Sequence, residues 1–237
     1  MLSPRSFSDL ETMSRFAADY LTTHLTEKPE SLLCLATGAT PTRTYELLAE
    51  HQARQPSLFA RARLLKLDEW SGLAMDDPAS CEAYLRRSVV DSLGLADRYV
   101  AFQSHPGDAE MECRRISSWL HRNGPIDLCL LGLGLNGHLG FNEPAPFLQP
   151  HAHVARLSEV SLGHAMLAEA RSGPAFGLTL GMADLLCARQ VLLLVSGPAK
   201  RGPLRQLLRG EISTQFPASL LHLHPNALIL CDSAAAS

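Results

Sequence analysis

Short, wholly apolar runs alternate with amphipathic helical stretches along nearly the whole chain. SLLCLATG reads as a strand running into a turn, and ATPTRTYELLAEHQAR as the helix after it, with Thr40 as N-cap and Pro41 in the first turn. Ahead of them, Ser8 and Glu11 have capping-box spacing, and Leu10, Met13, Ala17, Tyr20 and Leu21 mark the buried face of a first helix. ARLLKL predicts a strand ending at Asp68. Ser80 caps a helix through CEAYLRRSVVDSL that Gly94 closes, and YVAF is a brief strand. Asp108 to Arg122 is another amphipathic helix, stopped by Asn123-Gly124. IDLCLLGL is the central strand, VLLLV with SGPAKRGPLRQLLRG gives one more strand and helix, and ALILCD is a last strand.

Strands that are apolar on both faces belong to parallel sheets covered by helices on both sides. The expected fold is therefore α/β and Rossmann-like, mainly parallel. No linker, low-complexity segment or repeat divides the chain, so residues 1–237 are expected to form a single domain. In such sheets ligands bind beyond the carboxyl ends of the strands. That directs attention to four segments: ATGATP, DEW, the glycine-rich loop after IDLCLL, and SGPAK.

A net charge of −3 argues against a nucleic-acid coat. The cysteines, Cys34, Cys81, Cys113, Cys129, Cys187 and Cys231, show no C-x-x-C and no zinc spacing; they read as free thiols, several in apolar runs. The N-terminus lacks a signal-peptide core and no segment is long enough to span a membrane, so a cytoplasmic protein is expected.

LLGLGLNGHLGFNEP contains G-x-G-x-x-G at Gly132, Gly134 and Gly137. A dinucleotide site needs a helix to begin within those glycines. Gly140 and Pro144 forbid one of normal length here, so a nicotinamide-dependent oxidoreductase is not expected. His138 and Glu143 instead share the loop with Asn136 and Asn142. A carboxylate near a histidine can orient its ring and hold its tautomer, which points to acid–base chemistry.

TGATP reads as a phosphate cradle at a helix amino end or as an ordinary tight turn. Asp68 and Glu69 read as solvated strand-end carboxylates or as a general base over the sheet. Lys200, in the first turn of a helix, opposes the helix dipole unless an anion sits nearby. His151/His153 and His222/His224 have i, i+2 spacing without further ligands, and are taken as structural.

TGATPTRTYELL, LKLDEW and GLGLNGHLGFNEP together resemble the signature segments of the glucosamine-6-phosphate deaminase (isomerase) family. CLATGATP, KLDEW and DLCLLGLGLNGHLGFNEP are most similar to its galactosamine-6-phosphate isomerase-like branch. The resemblance runs across nearly the whole chain, to SLLHLHPNALILCD. It implies an enzyme of amino sugar metabolism that converts a 2-amino-2-deoxyhexose 6-phosphate into a ketohexose 6-phosphate and ammonia, galactosamine 6-phosphate favoured over glucosamine 6-phosphate. Asp68 matches the base that moves a proton between C2 and C1. His138 matches the residue that opens the pyranose ring, with Glu143 as its carboxylate partner and Asn136 beside it. Gly38, Ala39 and Thr40 match the phosphate loop, and Lys200 the phosphate-binding lysine. The resemblance implies no cofactor and no metal. The partner it implies is a small phosphosugar, not nucleic acid or a membrane, and it is compatible with a homo-oligomer.

The chain departs from the family in places. Some members carry Asp where Asn136 stands, which keeps a hydrogen bond but adds no charge. No arginine aligns securely with a phosphate-binding one of the middle third; Arg171 is the candidate. His153 and Ala155 occupy two basic positions of an allosteric pocket found in some hexameric members, so no activation by an N-acetylated sugar phosphate is expected. The alternative function is a 6-phosphogluconolactonase-type hydrolase, which keeps the fold and phosphate loop but needs no C2 base. A sugar-phosphate sensor without turnover is a third reading, disfavoured by the retained Asp68, His138 and Glu143.

Overall fold

The apolar runs pair as neighbours because each is buried on both faces. The computed structural model describes residues 2–236. Its first half runs β1 (Pro4–Phe7), α1 (Leu10–Glu27), β2 (Leu32–Leu35), α2 (Ala39–Arg54), β3 (Arg63–Lys66), β4 (Asp68–Ser71), α3 (Cys81–Leu85), β5 (Tyr99–Val100) and α4 (Ala109–Asn123). Then follow β6 (Leu128–Gly132), β7 (His153–Ala155), α5 (Glu159–Leu162), β8 (Phe176–Thr179), α6 (Met182–Leu186), β9 (Val191–Val195), α7 (Arg201–Leu208), β10 (Ala227–Asp232) and α8 (Ser233–Ala236).

Seven strands form one sheet in the order β1-β10-β9-β6-β2-β3-β5, and every pair in it is parallel. The Rossmann-like α/β expectation holds. Successive residues of β6 feed opposite cores. Leu128 and Leu130 join Met13, Leu21 and Leu48 from α1 and α2, while Cys129 and Leu131 join Ile116, Leu185 and Leu204 from α4, α6 and α7. Every residue of β2 and β9 is buried, which is why neither shows an alternating polar face.

The structure corrects several local expectations. The α1 cap is Asp9, one residue past Ser8: its Oδ1 accepts from Thr12 N at 2.8 Å, and Thr12 completes the box. Glu11 instead pairs with Arg15 and with Arg43 of α2. Helix α2 starts at Ala39, so Thr40 and Pro41 lie inside its first turn and Gly38 is the cap residue. Gly38 has φ +115°, which lets β2 turn directly into the helix; the Tyr84 and Thr42 hydroxyls donate to its carbonyl at 2.9 Å. Ser80 does cap α3, through Ala83 N at 2.9 Å, but the helix loosens into a π-helical turn over Arg86–Val90 before Gly94.

Strand β1 and a second, three-stranded sheet were not foreseen. In the latter β4 pairs antiparallel with β8, and β8 with β7. Asp68 and Glu69 therefore begin a strand and do not enter a loop. All six cysteines are free; five are buried and Cys187 is exposed. Among the described residues no helix is long and apolar enough to cross a membrane.

Candidate active site

The four segments singled out above follow β2, β3, β6 and β9, and these strands are contiguous in the order β9-β6-β2-β3. From β2 the chain winds outward through β3 to β5, then returns to β6 on the other flank and continues to β9 and β10. Connections leave in opposite directions from such a reversal and open a crevice at the carboxyl ends of the strands. A cavity of about 410 Å³ lies there, lined by Gly38, Ala39, Thr40, Asp68, His138 and Lys200. Asn136 and Glu143 stand behind His138, outside the lining.

Asp68 is 7% exposed, and its Oδ1 has no hydrogen-bond partner among the described residues. Burial pushes its pKa up to about 7, helped by the charge of Glu69 and opposed by Lys66 and the Cys81 thiol. A carboxylate so placed exchanges a proton near neutral pH. Gly140, with φ +58°, closes over it: a Cβ there would stand 3.5 Å from Asp68 Oδ2 and 2.7 Å from Thr179 Oγ1. Its neighbour Glu69 is fully buried and has a different task. Its oxygens accept from the amides of Trp70 (2.8 Å), Cys81 (3.0 Å) and Glu82 (2.9 Å) and from Lys66 Nζ (2.7 Å). Lys66, also fully buried, reaches Glu82 at 2.8 Å as well. Burial disfavours its charge, but the two carboxylates outweigh that and raise its pKa. This ionic cluster ties β3 and β4 to α3 next to Asp68.

His138 Nδ1 lies 3.4 Å from Glu143 Oε2 and 3.5 Å from Ser161 Oγ. Glu143 also accepts from Asn136 Nδ2 at 2.8 Å, from Ser158 N at 3.3 Å and from the Ser161 hydroxyl. Burial would raise its pKa, but the His138, Ser161 and Asn136 donors prevail and hold it at about 2. An ionised Glu143 keeps the proton on Nδ1 and leaves Nε2 as the exchanging nitrogen. Asn136 acts twice, since its Oδ1 accepts from His138 N at 3.2 Å. Gly134 lets the ring settle: a Cβ there would meet His138 Cδ2 at 2.4 Å. No helix begins among these glycines; the next, α5, starts at Glu159.

Lys200 ends a 3-10 turn, Pro198–Lys200, that precedes α7. Its Nζ donates to the Leu133 carbonyl at 2.6 Å, and burial lowers its pKa. Among the described residues it has no carboxylate partner. The amino end of α2 lies on the same cavity, at Gly38–Thr40. An ammonium without a counter-ion and a helix amino end together favour an anion.

A family model described as glucosamine-6-phosphate isomerases/6-phosphogluconolactonase matches residues 8–230. The chain belongs to that family. Among its relatives are the Escherichia coli (strain K12) protein named "Putative deaminase AgaI", 41% identical with 93% of this chain and 88% of that protein covered, and glucosamine-6-phosphate deaminase 1 of Bacillus subtilis (strain 168), 38% identical over 96% and 95%. A monomeric glucosamine-6-phosphate deaminase of solved structure superposes with a TM-score of 0.94 at 35% identity, covering 99% of each chain. The 6-phosphogluconolactonase of Trypanosoma brucei, 18% identical with a TM-score of 0.79 over 100% of this chain and 98% of that one, shares the fold.

Within this family member, the arginine candidate falls away from the cavity. The Arg171 guanidinium is exposed, 3.4 Å from Asp76, and is not part of the lining. The paired histidines are tied elsewhere: His222 to the Leu207 carbonyl at 2.7 Å, His224 to that of Ala188 at 2.8 Å, and His151 to Asp184 at 2.8 Å. His153 Nδ1 meets the His151 carbonyl at 2.9 Å. Sequence reasoning missed Ser158, Ser161, Trp70 and His164. Ser158 and Ser161 come from the start of α5, where Ser158 carries only a cap signal; Trp70 ends the DEW segment, where attention went to the carboxylates, and His164 lines the cavity without any motif around it.

Proposed function

We propose that this chain deaminates a 2-amino-2-deoxyhexose 6-phosphate with aldose–ketose isomerisation. One observation carries the reading: a buried carboxylate with a pKa of about 7, Asp68, shares one cavity with a carboxylate-backed histidine and an unpaired ammonium. The phosphate lies between Lys200 and the amino end of α2. His138 takes the proton of the C1 hydroxyl and returns one to the ring oxygen, which opens the pyranose. Asp68 then removes the C2 proton and delivers it to C1. Removal from C2 gives an enolamine, and protonation at C1 turns it into a C2 imine, which water hydrolyses to the ketohexose 6-phosphate and ammonia. Glu143 stays ionised throughout and stabilises the imidazolium that forms on His138.

The relatives named as glucosamine-6-phosphate deaminases support the reaction class. Between the two epimers the reading favours galactosamine 6-phosphate, on the resemblance of CLATGATP, KLDEW and the glycine-rich loop to that branch. A lactonase would have no use for a base at C2, and Asp68 weighs against it.

The test is release of ammonia and ketohexose 6-phosphate from galactosamine 6-phosphate and glucosamine 6-phosphate, run side by side, with 6-phosphogluconolactone as a third substrate. Ammonia from an amino sugar phosphate is expected, faster from galactosamine 6-phosphate. Lactone hydrolysis without ammonia from either sugar would overturn the reading.

A further inference from the structure

Besides the buried Trp70 Nε1, the cavity wall carries an exposed nitrogen donor that this chemistry leaves unused. His164 opens the 3-10 turn Ala165–Glu169, and its Nδ1 accepts the Met166 N–H at 3.2 Å. With that lone pair engaged, the proton of the neutral ring sits on Nε2. Among the described residues Nε2 has no hydrogen-bond partner, and the residue is solvent-exposed where it lines the cavity. The ring centroid lies 6.2 Å from that of Trp70, which flanks it. Although the residue is exposed, partial desolvation of the ring lowers its pKa, and the charges of His138 and Lys200 act in the same direction, so the neutral, Nε2–H form is favoured.

Three other side-chain donors around this cavity have acceptors already. Lys200 gives one proton to Leu133 O, the Ser161 hydroxyl binds Glu143, and His138 Nδ1 faces Glu143. A phosphate monoester brings three terminal oxygens and takes charge-assisted hydrogen bonds from several directions. Lys200 and the amino end of α2 line the cavity, and Arg171 is turned away to Asp76. His164 lines the same cavity, within electrostatic reach of Lys200.

We propose that His164 is a second side-chain donor to the substrate phosphate, giving its Nε2–H to an oxygen that Lys200 and the amino end of α2 also hold. The proposal rests on the sugar-phosphate reading above and names a substrate contact for the same site. A contact with the phosphate, which does not react, is made equally in ground and transition states, so its loss raises KM and spares kcat.

The test compares wild type, His164→Leu and His164→Gln, with inorganic phosphate as a binding probe beside the amino sugar phosphates. Leu, which has no donor, should raise KM and the Kd for inorganic phosphate roughly tenfold, with kcat within about twofold. Gln, which keeps an N–H at similar reach, should restore most of the binding. In wild type, the His164 Nε2–H resonance in a 15N-labelled sample should shift on addition of inorganic phosphate; this observation needs no variant to fold. The proposal is overturned if that resonance does not move, if His164→Leu weakens the sugar phosphate but not inorganic phosphate, or if kcat falls while KM holds. Phosphate binding requires no turnover, so a failure of the deaminase assay and a failure of this contact are read separately.

Discussion

Replacing Asp68 with Asn should make the protein more stable and nearly inactive, with the gain confined to neutral and alkaline pH. The folded-state pKa of about 7 stands well above the ordinary 3.8. Between these values the folded protein binds a proton that the unfolded chain has released. Stability from this group is thus fully present below about pH 3.8 and is lost as pH rises through about 7. The shift is about 3 pKa units, and at about 1.36 kcal/mol per unit the ionised carboxylate costs about 4 kcal/mol above neutrality. Asn carries no charge, so it removes that cost, less about 1–2 kcal/mol for an amide in a pocket that offered Oδ1 no partner. Urea unfolding should show Asp68→Asn more stable than wild type by about 2–3 kcal/mol at pH 8 and less stable by about 1 kcal/mol at pH 4, where wild type is already protonated and only the amide penalty remains. Deamination should fall by about 10²–10⁴-fold, the ordinary contribution of a general base. In wild type, kcat/KM should rise with pH to a midpoint near 7 and flatten above it, since only the ionised form accepts the C2 proton. Equal stability of the two proteins at pH 8 would refute the buried, raised carboxylate, and activity within tenfold of wild type would remove Asp68 as the base.

Glu143→Gln should lower kcat by about 10²-fold, because the ring loses its ionised partner. The folded pKa of about 2 lies below the ordinary 4.5, so the carboxylate stabilises the fold above about pH 4.5, and that stability is lost as pH falls through about 2. Unfolding curves should show the variant weaker at pH 7, with the difference closing at about pH 2; a constant gap would contradict the shift. Gly134→Ala places a methyl 2.4 Å from His138 Cδ2, so the ring must move; kcat should drop about tenfold or more while Lys200 still holds inorganic phosphate. Unchanged kcat would show that the ring has room. Lys66→Met leaves Glu69 and Glu82 buried without their cation, and denaturant unfolding should register a loss of about 3–5 kcal/mol.

The sequence alone determined the architecture and much of the site's membership. Runs such as LLCL and VLLLV are apolar on both faces, and strands of that kind have few stable arrangements other than a parallel sheet between helix layers. The carboxyl ends of those strands point to Gly38–Thr40, Asp68, His138 and Lys200, which line one cavity. What escaped were relations between distant residues. The β4 ladder pairs Asp68 with Thr179, and no local pattern around DEWS announces a partner so far along the chain. Asp68 and Glu69 look alike in sequence; only packing left one carboxylate facing the cavity with an unpartnered Oδ1 and wrapped the other in three amides and an ammonium. Arg171 was a plausible cation until the fold placed it beside Asp76, and His164 had no motif until the fold brought it to the cavity. Periodicity and caps report the local conformation and the buried face of each element. The pKa of Asp68, the state of Glu143 and the free donor of His164 depend on desolvation and on neighbours that only chain closure brings together.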